Sequence, residues 1–246
     1  SVDDSMDITT KMQGATISSA PAAAPTVQNS DFLDYVTGGC QLNVSVAIDF
    51  TGSNGDPRQP GTLHHFNRDG SRNDYEKAIA AIVSILAKYD SDQKFPVYGF
   101  GAKYGGVVRH CFECGGAPEH HGVAGVLQAY KKTFSSGLIM SGPTVFTEVI
   151  EKVAARARSC QDAAFARGGQ CYTVLLILTD GAVSDVQATA ESFKAASQSP
   201  LSVVIVGIGS ADFGAMRFLD DYSGPGKRDI AQFVEFSKCK HSSQLL

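Results

Sequence analysis

"CYTVLLILTDG", residues 171–181, decides the fold class. From Val174 to Leu178 every residue is apolar, and the run stops at Thr179, Asp180 and Gly181. A short apolar run closed by an Asp-Gly turn pair reads as a strand. Its lack of polar alternation means that both faces are covered, which is the condition of a parallel sheet with helices on each side.

Apolar runs and helix-period segments alternate on either side of it. Strands are expected over "NVSVAIDF" (43–50), "FPVYGF" (95–100), "VVRHCF" (107–112), "LSVVIVGIG" (201–209) and "IAQFVEF" (230–236). The second and third of these, joined through "GAKYGG", read as a hairpin that puts one antiparallel strand in the sheet. "NDYEKAIAAIVSILAKYD" (73–90) is amphipathic at helical period, with Asn73 or Asp74 as N-cap. "GVAGVLQAYKKTF" (122–134), "FTEVIEKVAARA" (146–157), residues 186–196 and residues 213–221 also fit helices. The expected architecture is α/β: a doubly wound, mostly parallel six-stranded sheet with one antiparallel edge strand and helices on both faces. Residues 1–30, with "SSAPAAAP", read as a flexible leader or linker, and the folded domain takes residues 31–246.

Bulk properties exclude several classes. Of the 246 residues 43% are hydrophobic and 19% charged, which is a globular composition rather than a disordered one. A formal net charge of -4 gives no electrostatic basis for gripping nucleic acid or an anionic membrane. No apolar run approaches the roughly 20 residues of a spanning helix. The acidic opening "SVDDSMD" is not a secretory signal, and its lack of Met suggests a processed product or a cut-out piece. Six cysteines in a chain of this length are too sparse for a disulfide scaffold, and most read as buried free thiols of a reducing compartment. The sequon Asn43-Val44-Ser45 falls inside an expected strand and carries little weight.

In doubly wound sheets ligands bind beyond the carboxyl ends of the strands, at the topological switch point. Three polar clusters fall there. Asp49, Thr51 and Ser53 leave the first strand in "VAIDFTGSNGDPRQPGTLHHF" (46–66), Thr144 lies in "SGPT" before a helix, and Asp180 ends the strand quoted at the outset. If residues 49–53 stay extended, their period-two spacing turns Asp49, Thr51 and Ser53 to one side. Two carboxylates and three hydroxyls form an all-oxygen, hard donor set. Mg²⁺ or Mn²⁺ fits it, with waters or a partner's carboxylate completing the shell, whereas zinc prefers nitrogen or sulfur. Each piece also has an ordinary explanation: Thr144 as a helix cap, Ser53 as a turn closer, Asp-Gly as loop chemistry.

Asp49-x-Thr51-x-Ser53, Thr144 and Asp180 resemble the metal-ion-dependent adhesion site of von Willebrand factor A domains. "FLDYVTGG", "VAIDFTGSNGDPR", "YGFGAK", "GPT", "LLILTDG", "PLSVVIVGIGSADF" and "RDIAQFVEF" resemble, more specifically, the A domain of copines, from about residue 31 to 240. The long insertion between Ser53 and the first helix is copine-like too. Thr51 stands where many A domains carry Ser, and the hydroxyl is kept. The resemblance implies hydroxyls that bind the cation directly, aspartates that bind it directly or through water, and an open position taken by an acidic residue of a protein partner. Copines are cytosolic and bind phospholipid in a calcium-dependent way through two C2 domains ahead of the A domain. No C2 domain is read in these residues, so a membrane contact is expected only through such domains. The second possibility is a substrate-recruiting A domain of a copine-like RING-type ubiquitin ligase, which needs a Cys/His cluster downstream, whereas the chain ends "SKCKHSSQLL".

An enzyme is the weaker class. Neither "GFGAKYGG" nor "GIGSADFG" has dinucleotide spacing at the first strand–helix turn, no Walker lysine appears, and no G-x-S-x-G elbow exists. Cys111 and Cys114, with His120 and His121 nearby, invite a zinc reading. Their odd separation in a strand puts the two thiols on opposite faces, which argues against it. His64 and His65 are expected to be packing or loop residues rather than ligands.

Overall fold

The structure, a computed structural model, describes residues 40–90, 92–181, 183–220 and 228–239. The leader expected over residues 1–30 lies outside the described residues. In chain order the elements are β1 (Cys40–Asp49), α1 (Asp74–Leu86), β2 (Lys94–Phe95), β3 (Val97–Phe100), β4 (Ala102–Tyr104), β5 (Val107–Arg109), β6 (Phe112–Glu113) and β7 (His120–His121). They continue as α2 (Gly122–Thr133), β8 (Ile139–Met140), α3 (Thr147–Phe165), β9 (Gln170–Thr179), α4 (Val186–Ala196), β10 (Leu201–Gly207), α5 (Gly214–Asp220), β11 (Ala231–Glu235) and α6 (Phe236–Cys239).

The main sheet has six strands in the order β11-β10-β9-β1-β3-β6. All neighbours are parallel except β6, which runs antiparallel to β3 at one edge. The fold is therefore the doubly wound α/β sheet expected from sequence. The apolar runs alternate between two cores. Val174, Leu176 and Leu178 of β9 face the side of α1 and α2, while Leu175 and Ile177 face that of α3, α4 and α5. Val46 and Ile48 of β1 take the first side and Ala47 the second. That double coverage is why the run is continuous rather than alternating.

The expected hairpin is present but displaced. "FPVYGF" breaks at Pro96, which has no N–H for a ladder, so Lys94–Phe95 pairs with β7 and only Val97–Phe100 enters the main sheet. Gly101, at φ +75°, ends β3. The chain then forms the tight β4–β5 hairpin, whose loop residues Gly105 (φ +57°) and Gly106 (φ +82°) supply the positive φ pair of a type I′ turn. This hairpin joins β8 in a separate three-stranded sheet, β5-β4-β8. The antiparallel edge strand is thus Phe112–Glu113 alone, through Gly99↔Phe112 and Tyr98↔Glu113, and not the whole of "VVRHCF". Cys114 is buried on the α1/α2 side and Cys111 packs on the other, as their spacing requires.

Asn73 caps α1 in a full capping box: its Oδ1 accepts from Glu76 N at 2.8 Å and its N donates to Glu76 Oε2 at 2.9 Å. Asn73 Nδ2 also donates to the Tyr130 hydroxyl of α2 at 3.2 Å. That hydroxyl is 2.8 Å from Nδ1 of His64, a fully buried residue of the insertion between β1 and α1. His64 Nε2 lies 2.8 Å from the Asp49 carbonyl oxygen. A carbonyl only accepts, so Nε2 carries the proton and Nδ1 accepts from Tyr130. The neutral ring stacks on Tyr75 of α1 at 4.1 Å and on Phe50 at 5.7 Å. One histidine therefore ties the insertion, both helices of this face and the end of β1 into one core, and packs as expected.

Burial drives the His64 pKa from its ordinary 6.5 down to about 3. The unfolded chain takes up this proton near pH 6.5 and the folded chain only near 3. Stability from a neutral His64 is therefore complete above about pH 6.5 and declines as the pH falls towards 3. At pH 5 the loss from this residue is about 2 kcal/mol. Urea denaturation at pH 7 and pH 5 measures it: His64→Gln, though less stable at pH 7, shows a pH 7-to-5 decline smaller than the wild type's by about that amount. Parallel declines in the two proteins would refute the assignment.

Candidate metal centre

β1 and β9 are neighbours in the middle of the sheet, with Ile48 level with Leu178, and β1 is where the strand order reverses. Their carboxyl ends open the crevice where ligands of such sheets bind. Asp49 closes β1 and is fully buried, and Asp180 follows β9 and is nearly so. Asp49 Oδ1 accepts from Thr51 N at 2.8 Å, and its Oδ2 accepts from the Thr179 hydroxyl at 2.6 Å.

Thr51 is extended, but Gly52–Asn54 then forms a 3₁₀ turn, so the extended spacing expected through Ser53 is not what aligns these side chains. The turn brings Ser53 Oγ to 2.9 Å from Thr51 Oγ1 and lets it donate to Asp180 Oδ1 at 2.9 Å. Asp49, Thr51, Ser53 and Asp180 are thereby joined in one oxygen-rich cluster. Asn54, buried beneath it, donates from Nδ2 to the Thr51 carbonyl at 3.2 Å and to Thr51 Oγ1 at 3.4 Å. Its Oδ1 accepts from the buried Tyr75 hydroxyl at 2.7 Å.

Thr144 reaches the cluster through its loop. Its N donates to Ser184 Oγ at 3.0 Å and its carbonyl accepts from Ser184 N at 2.9 Å, which ties it to the segment after Asp180. At the other end of the loop, Ser141 O accepts from Gly52 N at 2.5 Å and Ser141 forms a bridge with Thr51. Among the described residues the Thr144 hydroxyl makes no hydrogen bond to the other four. Close approach on this side needs Gly101, since a Cβ there would stand 2.2 Å from Thr51 Cγ2.

The electrostatics are unbalanced. Burial, and then the charge of Asp180, raise the Asp49 carboxyl from 3.8 to about 6 against the opposing hydrogen bonds from Thr179 and Thr51. Burial also raises Asp180, opposed by its bond from Ser53. Among the described residues no lysine, arginine or histidine forms an ion pair with either carboxylate. Two buried carboxylates without a counter-charge are costly, and a hard divalent cation among hydroxyls is the group whose chemistry fits this donor set.

Among the described residues no group of three or more His, Cys, Asp or Glu is arranged for a metal ion. His120 Nε2 donates instead to the Cys114 carbonyl at 2.9 Å, and Cys40, Cys111, Cys114, Cys160 and Cys171 are free thiols. No helix among the described residues is long and apolar enough to cross a membrane.

Thr179, Asn54, Tyr75, His64 and Ser184 support the site and were not singled out for that role from sequence. Thr179 alone carried a signal, as the polar residue that ends the apolar run one place before Asp180. Replacing it by the isosteric Val removes the donor to Asp49 Oδ2. The expected cost is about 1–3 kcal/mol of stability, measured by denaturant unfolding in EDTA; no loss would show that the bond is dispensable.

The copine family model matches residues 62–245. Protein BONZAI 1 of Arabidopsis thaliana is 42% identical over 216 residues, covering 82% of this chain and 36% of that protein. Copine-E of Dictyostelium discoideum is 41% identical over 225 residues, covering 87% of this chain and 38% of that protein. The chain thus spans little more than a third of these relatives' length. Among solved structures it is similar to the SpRpn10 VWA domain, with 10% identity, a TM-score of 0.49, and coverage of 80% of this chain and 87% of that one. It is also similar to the manganese-loaded TRAP protein of Plasmodium vivax, with 12% identity, a TM-score of 0.48, and coverage of 81% and 70%. With the family model spanning most of its length and relatives above 40% identity, this chain belongs to the copine family.

Proposed function

We propose that the chain is a non-enzymatic protein-interaction module that binds Mg²⁺ or Mn²⁺ at Asp49, Thr51, Ser53, Thr144 and Asp180 and recruits a partner through an acidic residue. The observation that supports this reading most is the convergence of two buried, mutually repelling carboxylates with hydroxyls and, among the described residues, no ion-paired cation. A divalent cation there supplies positive charge, together with coordination for a partner's carboxylate. The chain's own residues do the rest. Thr179 and the Thr51 amide orient Asp49, Asn54 orients Thr51, and Ser184 holds the Thr144 loop.

The wider setting is proposed from the family resemblance: a cytoplasmic protein in which C2 domains outside these residues provide calcium-dependent phospholipid binding. Nothing in the site calls for a catalytic base beside the hydroxyls, so recruitment rather than turnover is the proposed role.

Calorimetric titration with Mg²⁺ and Mn²⁺ tests the site. Wild type binds; Asp49→Asn and Asp180→Asn lose measurable binding, and the exposed Ser53→Ala, which leaves the core untouched, is weakened. Unaltered titrations in all three variants would remove the assignment. Because a cation that binds only the folded state stabilises it, Mg²⁺ at one hundred times its Kd adds about 2.7 kcal/mol. For a chain of this size that raises Tm by about 5–10 °C, and Asp180→Asn shows no such rise.

A further inference from the structure

The three-stranded sheet β5-β4-β8 stands beyond the carboxyl edge of the main sheet, against the proposed cation site. β3 reaches that edge with Phe100 level with Asp49, and the chain passes through Gly101 straight into β4. Ser141, which follows β8, accepts from Gly52 N and donates from its own N to Gly101 O at 3.0 Å. A continuous line of backbone hydrogen bonds thus runs from the tip of the hairpin to the loop carrying Thr51 and Ser53.

Cross-strand register settles which side chains share a face. Lys103 is opposite Val108 on one side and Ile139 on the other, so these three form a row across the sheet. The other face carries Ala102, which is fully buried. Ile139 is 63% exposed, one of the large apolar side chains most open to solvent.

Charge is one-sided here. The two segments that build this rim, residues 97–112 and 134–147, contain no aspartate or glutamate, although the whole chain carries a net charge of -4. They do contain Lys103 in the row and Arg109 on the opposite face, across from Ala102, and among the described residues neither forms an ion pair. A type I′ turn and two flanking strands hold the row in place, so little ordering cost attaches to its use.

We propose that the Val108–Lys103–Ile139 row is a second contact surface of the same binding site. It takes an extended acidic segment of a protein partner: one carboxylate at the cation, a second acidic residue at Lys103 and a large apolar residue on Ile139. The proposal rests on the cation-site reading above. Charge complementarity selects this occupant, since an acidic segment on the row meets Lys103, which among the described residues forms no ion pair, in segments that carry no carboxylate. The apolar neighbours desolvate the contact, which strengthens the charge pairing.

Short random peptides with one fixed aspartate, displayed and selected on the whole chain in Mg²⁺, test it. The selected sequences carry a second Asp or Glu and a large apolar residue at constant offsets. A synthetic peptide of that sequence then binds Lys103→Glu and Ile139→Asp about tenfold or more weakly than wild type by fluorescence polarisation. Both positions are at the surface, and calorimetric Mg²⁺ binding of the two variants stays at the wild-type value. Equal peptide affinity for wild type and both variants overturns the proposal, and so does the absence of any constant acidic and apolar offset. Selection failure together with Lys103- and Ile139-dependent adsorption to phosphatidylserine vesicles overturns it in favour of a lipid surface. If the selected peptide binds equally in EDTA but still needs Lys103 and Ile139, the surface stands and the cation reading falls.

Discussion

A carboxylate buried at the end of the central strand is the constraint around which the structure is arranged. Asp49 has no access to water, so each of its acceptors must be met from inside. Its two carboxylate oxygens take the Thr51 amide and the Thr179 hydroxyl, and its carbonyl takes His64. These partners come from the turn after β1, from the neighbouring strand β9 and from the insertion. Moving any of them moves the carboxylate. What is left unmet is charge, because Asp180 is adjacent and, among the described residues, no cationic side chain forms an ion pair with either group.

The insertion between Ser53 and α1 has a structural reason for existing in this form. A β-strand that ends in a buried polar residue needs a cover, and residues 54–66 provide it. Leu63 N donates to Asn54 O, Asn54 anchors Thr51, and His64 enters the aromatic cluster of Phe50, Tyr75, Tyr130 and Phe134. A neutral imidazole serves both ends of that contact, accepting from a phenol and donating to a carbonyl, whereas an imidazolium has no acceptor for the phenol. Phenylalanine would fill the space and leave the Asp49 carbonyl unmet. The Asn73 cap is bound to the same hydroxyl, so the start of α1 and the end of β1 are fixed by one connected set of bonds.

Much of this was legible in the residues. The continuous run at Val174–Leu178 required two covered faces, and the helices were marked by period and by Asn73. The odd spacing of Cys111 and Cys114 separated them across the sheet. What failed to show were features set by tertiary contact. Pro96 and Gly101 divide "FPVYGF" among two sheets and a turn, yet each also fits an uninterrupted edge strand. Asp49, Thr51 and Ser53 were grouped by an extended spacing, whereas a 3₁₀ turn is what brings Ser53 to Asp180. Both geometries put the hydroxyls near each other, so the pattern could not distinguish them. Asn54 and Tyr75 act on Thr51 across 21 residues of chain, a link no local pattern encodes.

The charge imbalance at the switch point gives metal and partner a common thermodynamic basis. On the proposed reading, a partner's carboxylate is a third negative group brought to two that already repel, so its approach without the cation is unfavourable. With the cation bound, the same carboxylate is attracted and loses water into a site lined by hydroxyls. The two binding events are therefore positively coupled, and reciprocity requires the partner to tighten the cation by the factor with which the cation tightens the partner. The neighbouring rim acts in the same direction. On that reading Lys103 lowers the cost of assembling acidic groups there, while among the described residues no ion pair joins it to Asp49 or Asp180. On the proposed reading a cation from solution, rather than a lysine of the chain, then controls whether the site accepts an acidic ligand, which would make recruitment conditional instead of permanent.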